Sequence, residues 1–239
     1  MESGKKEIQS KAADLKFRKK ARFKKLAIWL LIDVAVAGII FALLLHKPGR
    51  YTPVESGNYN PEQVSKYLTH ELSPKIYNGA QLGKPFDVVV TQDGMNEIVA
   101  GLGWPKASED VMLYAPAVLF VPGSVVLMGT ADIKGVEFIV TIELEAMMDE
   151  QGLLRLQVTK VKIGAMNITP LAKMLAKKMY TEQIAATEID REALGTKIAG
   201  ALLNDEPIEP VFKLEDTKVR VEKIAVQKEK LILHLVGAS

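Results

Sequence analysis

The side chains of this 239-residue chain that could do chemistry are few: His46, His70 and His234, the glutamates Glu143 and Glu145, and one acid, Asp33, inside an oily run. The three histidines share no ligand spacing, so separate surface or satisfied histidines are expected, with no metal and no cofactor. Glu143 and Glu145 fall on one face of a strand pattern at a distance usable for a carboxylate pair, although a solvated sheet face carries such residues as a rule. No HExxH, no GxSxG and no Walker-type glycine loop occurs. Gly101-Leu102-Gly103 lacks a third glycine and follows a helical pattern, which makes it punctuation and not a dinucleotide loop. The absence of cysteine removes disulfides, thiolate nucleophiles and cysteine-ligated zinc together. No catalytic residue is assigned, and the expectation is a protein that is not an enzyme.

What must position any ligand instead is a membrane tether and a folded body. Residues 26–45 read LAIWLLIDVAVAGIIFALLL, twenty residues with a single charge. At about 1.5 Å rise each they match a hydrocarbon core of about 30 Å. A cleaved signal peptide is the nearer competitor, since Ala35-Val36-Ala37 resembles a cleavage site, but the apolar stretch runs well past it. Residues 1–25 hold ten Lys/Arg against three acids, whereas the flank after the span offers only Lys47, Arg50 and later Lys66 within a comparable distance. That asymmetry puts the amino terminus in the cytoplasm and everything after the span outside. The basic tail lacks interleaved aromatics beyond Phe17 and Phe23 and abuts lipid, so anionic headgroups are its expected contact and no nucleic acid is. Asp33 lies near the middle of the span, where a carboxylate is expensive; contact with a partner membrane protein and simple tolerance of a protonated acid are both open.

The body, residues 60–239, follows a linker at 46–59. Asn60-Pro61-Glu62 opens a short helix expected to end before Pro74. A strand through Phe86, Val88 and Val90 leads to Thr91, which can cap a helix with Met95, Ile98, Val99 and Leu102 on one face. From Tyr114 a period of two continues for about fifty residues, broken at Pro122-Gly123, Lys134-Gly135 and Asp149-Glu150-Gln151-Gly152, which predicts a four-strand meander. In its third strand Val136, Phe138, Val140, Ile142 and Leu144 form a dry face, and Glu137, Thr141, Glu143 and Glu145 a wet one. A change of phase at Thr159-Lys160 predicts a β-bulge. Pro170 starts an amphipathic helix with Leu171, Met174, Leu175 and Met179 on the face expected to cover the dry side. Another helix spans 190–203, and two alternating strands close the chain. The fold class is α+β: an N-terminal transmembrane helix, then one curved, mostly antiparallel sheet of about seven strands packed with amphipathic helices.

This order of elements, with the phrases FDVVVTQDGMNEIVAGL and LRLQVTKVKIGAMNITPLAKMLAKKM, resembles the YpmS-like and LmeA-like bacterial envelope proteins. The matching positions are Thr91, Asn96, Val161, Ile163, Gly164 and Pro170, and the resemblance runs from about residue 26 to 236. It implies a relative of the tubular lipid-binding fold, located in a bacterial plasma membrane, that binds lipid or another apolar small molecule without catalysis. The acidic loop near Glu206 and residues 51–85 depart from the pattern. The bulge and Met-bearing helices are compatible with a slot about the size of an acyl chain. Its expected walls are Phe138, Val140, Ile142, Leu156, Met174 and Met179. The alternative is a structural or assembly factor with a filled core, acting on another membrane protein through the span and Asp33.

Overall fold

The structure, a computed structural model, describes residues 24–53, 65–108, 110–186, 194–204, 206–214 and 217–238, in two units, Met1–Leu44 and Leu45–Ser239. The basic residues before Lys24, the Asn60-Pro61 cap and the expected helix start at Asp190 lie outside the described residues.

In the first unit helix α1 spans Lys24–Leu44, 21 residues that include an 18-residue stretch of mean hydropathy 2.6. About 30 Å long, it is long and apolar enough to cross a membrane, a criterion that a signal sequence also meets. Asp33 is its one acid.

The second unit is α+β. A π-helical turn, Tyr67–Leu72, runs into α2, Ser73–Gln81. Pro74 therefore does not end the helix as expected. It sits in the first turn of α2, where a missing N–H is tolerated, and the wide π turn before it relieves the clash with the preceding carbonyls. Strand β1 (Phe86–Thr91) leads into α3 (Gln92–Ala100), and Thr91 caps that helix as its sequence position predicts, its hydroxyl accepting from the Gly94 amide at 3.2 Å. Next come β2 (Lys106–Ser108), β3 (Val111–Val121), β4 (Ser124–Ile133), β5 (Val136–Met148), β6 (Leu154–Ile163) and β7 (Met166–Asn167). Helices α4 (Thr169–Ala186) and α5 (Leu194–Asn204) precede β8 (Val211–Leu214), β9 (Thr217–Gln227) and β10 (Lys230–Ala238).

The meander β3–β6 is present, turning where Pro122-Gly123, Lys134-Gly135 and Asp149–Gly152 forecast it. The last turn is tied by Asp149, whose carboxylate accepts from the Gln151 and Leu153 amides and from Arg155; these bonds, the Leu153 amide foremost, hold its carboxyl below the usual value. The bulge is also where the phase change put it: Glu143 pairs with Lys160 and Leu144 with Val158, leaving Thr159 unpaired.

The single sheet of about seven strands is corrected to two antiparallel sheets, β2-β3-β4-β5-β6-β7 and β1-β10-β9-β8. The seven expected strands are there, with three short ones added, but β1 pairs with β10, its partner at the far end of the chain, and not with the meander. Val88 and Val90 of β1, Val118 and Phe120 of β3, Val221 of β9 and Leu235 of β10 bury one common core with Tyr67. Helix α3 closes the junction. Phe120 donates its amide to Gln92 Oε1 at 2.9 Å, and Val118 exchanges two bonds with the Asn96 amide group, at 2.6 and 2.8 Å, so these side chains stand in for a missing neighbouring strand.

Helix α4 does not cover the dry face with its large apolar side chains. Leu171, Met174 and Leu175 are 49%, 63% and 48% exposed, whereas Ala172 and Ala176 are half-buried. Small residues allow the helix axis to lie close to β6, and the bulky ones then point outward.

Candidate functional site

Both faces of β5 are covered. On the side carrying Ile139 and Thr141, a second cluster gathers Tyr51, Ala117, Val126, Met128 and Ile139, with Leu119 and Val121 against it. Tyr51, from the expected linker, is only 5% exposed. Its hydroxyl donates to the Ala115 carbonyl at 2.5 Å and bonds Thr130 Oγ1 at 2.8 Å. The carbonyl is available because β3 bulges between Tyr114 and Ala117, with Ala115 at φ 49° just before Pro116, which has no amide to give a ladder. Burial pushes the Tyr51 phenol up. The Tyr51 amide closes a turn onto the Pro48 carbonyl, and Lys47 Nζ lies 5.7 Å from the centre of the ring. Residues 46–50 are thereby pinned over the sheet.

Between this segment and the sheet lies a groove of about 190 Å³. Leu119 and Val121 of β3 and Val126 and Met128 of β4 make its apolar floor, Thr141 and Glu143 of β5 and Lys162 of β6 continue it, and His46, Pro48, Arg50, Gly164 and Ala165 form the rim. Pairing in register places Thr141 between Met128 and Lys162. Glu143 stands between Val126 and Lys160, and its carboxylate bonds the Lys160 ammonium at 2.9 Å. Thr141 is 9% exposed, and its Oγ1 has no hydrogen-bond partner; it is the one such buried side-chain atom among the described residues. A buried hydroxyl left unbonded costs about 1–3 kcal/mol.

The expected wall residues are elsewhere. Phe138, Val140 and Ile142 alternate with Ile139 and Thr141 and so face the opposite side of β5, half-buried, and Leu156 shares that side. Met174 is exposed on α4, the Met179 side chain lies outside the described residues, and Asp33 is on α1. Thr141 and Glu143, read as a wet face, line the groove. The overlooked signal was β4, where Val126 and Met128 are apolar at every second position, buried, and paired with Glu143 and Thr141.

The histidines are not brought together. His46 lines the groove, and His70 bonds Thr69 Oγ1 and the Lys66 carbonyl within its own turn. His234 stands between Asp87, at 2.6 Å, and Glu222, at 3.6 Å, on the other sheet. No group of three potential metal ligands occurs among the described residues.

Tyr114 donates to Glu137 Oε1 at 2.5 Å, and that bond, more than burial, pushes its phenol up to about 12. A folded value above the ordinary 10 means that the bond's stabilising effect is complete below pH 10 and lost as the pH rises through about 12. Of the six tyrosines, Tyr114 and the buried Tyr51 are expected to ionise late in alkaline difference absorbance, and Glu137→Gln to return the Tyr114 phenol towards 10. A late phase of unchanged amplitude in the variant would refute the assignment.

No protein-family model, no curated protein and no solved structure matches the chain.

Proposed function

We propose that the chain is a single-pass protein of a bacterial plasma membrane, amino terminus in the cytoplasm, whose outer body binds a lipid or other hydrophobic ligand without transforming it, in maintenance of the cell envelope. The basic flank before α1 supports the orientation, and the resemblance to YpmS-like and LmeA-like proteins supports the envelope role. The observation that carries the binding is the Thr141 hydroxyl, buried and unbonded in a groove with an apolar floor. A bound molecule would supply its missing partner and offset the cost of keeping it. Volume decides how much of a lipid is held. At about 30 Å³ per water-sized group, a groove of about 190 Å³ has room for about six such groups, one end of a lipid with the rest left outside.

Full-length protein extracted in mild detergent is expected to carry lipid that native mass spectrometry and solvent extraction both detect. Ala165→Trp, a plug set at an exposed rim position, is expected to lose that lipid at an unchanged melting temperature. Wild-type protein that is clean of lipid would sink the proposal and favour a scaffold acting on a membrane-protein partner through α1 and Asp33.

A further inference from the structure

Two cations on the groove have no anion of their own. Glu143 is matched by Lys160, which leaves Arg50 and Lys162 on the lining with no ion pair among the described residues. Lys162 is the cross-strand neighbour of Thr141, so their backbones run about 5 Å apart and a lysine and an unbonded hydroxyl leave the same face of the sheet. Arg50 reaches the same groove from the segment that Tyr51 pins, with His46 also on the rim.

We infer that the groove recognises a glycerophospholipid by its anionic phosphate at Arg50 and Lys162 and by an ester carbonyl at the Thr141 hydroxyl; this rests on the reading of the groove as a lipid site. The division follows from burial. Arg50 is exposed, so a phosphate held there keeps part of its hydration, and the guanidinium fork and the ammonium are both donors suited to phosphate oxygens. Thr141 is buried beside Met128 at the edge of the apolar floor, where a charge would be costly to desolvate, and a neutral carbonyl is the acceptor that fits. The glycerol that links phosphate to ester then rests against Met128 and Val126, and the acyl chains leave the groove.

The test is titration of the full-length protein, in an uncharged detergent, with dihexanoyl phosphatidylglycerol, dihexanoyl glycerol, which lacks the phosphate, the diether analogue of the first, and sodium phosphate. The phospholipid is expected to bind at least about tenfold tighter than the diacylglycerol, with a preference that shrinks as salt is added. In the Arg50→Gln, Lys162→Gln double variant that ratio should fall to about threefold or less, while diacylglycerol affinity is kept. Thr141→Val should abolish the preference for ester over ether and melt no lower than wild type. Equal affinity of the wild type for the phospholipid and the diacylglycerol overturns the inference and leaves the lipid reading standing, whereas no binding of any lipid removes both. Sodium phosphate competing as well as the lipid would assign a free-anion site and overturn the inference too.

Discussion

Tyr51→Ala is expected to lower the stability of the body by about 3–5 kcal/mol and to abolish lipid retention with it. The aromatic ring is 5% exposed among Ala117, Val126, Met128 and Ile139, so truncation opens a cavity in the smaller of the two clusters. The same change strands the Ala115 carbonyl and Thr130 Oγ1, both of which the phenol bonds. Function falls for a separate reason, since Tyr51 holds residues 46–50, and with them Pro48 and Arg50, against the groove. Tyr51→Phe separates the two effects. It keeps the ring and loses the hydroxyl, and should cost about 1–2 kcal/mol while retaining lipid. Thermal melts and lipid extraction on the full-length variants check both; a Tyr51→Ala protein that melts within a degree or two of wild type would contradict the packing described.

Asn96→Ala is the second large effect, about 2–4 kcal/mol, and it acts at the junction of the sheets. The Asn96 side chain gives one bond to the Val118 carbonyl and takes one from the Val118 amide, and Val118 is 3% exposed, so no water replaces either. Asn96→Asp keeps the acceptor and loses the donor, and sets a carboxylate against the carbonyl. It is expected to be at least as damaging as alanine. Hydrogen exchange at Val118 and Phe120 reads the result locally: protection should collapse there in both variants, and protection that persists would show that the junction does not depend on this side chain.

Local signals were legible. Helix α1, the four-strand meander, its turns, the Thr91 cap and the bulge near Thr159 each follow from residues a few positions apart. What escaped was set by contacts distant in the chain. β1 joins β10 from the far end of the chain, where Val88, Val90 and Leu235 share one core, and nothing near Phe86 announces it. The groove escaped because period two on β5 was read as one dry face and one wet face, and Thr141 looked like a solvent residue until Tyr51 and the floor of β4 closed over it. Met174 escaped because the spacing of Leu171, Met174 and Leu175 reports an apolar stripe and not the direction in which it points; Ala172 and Ala176 decide that.

The unpaired Thr159 has a consequence for how this molecule could change over generations. It is the extra residue of the bulge, so that Val158 stays opposite Leu144 while Lys160 stands opposite Glu143 and Lys162 opposite Thr141 of the groove. Loss of that one codon would leave those pairs in place and take away only the local bend. A lineage could thus shed this residue by a single short deletion with both lysines still beside the cleft and every other letter of the gene intact.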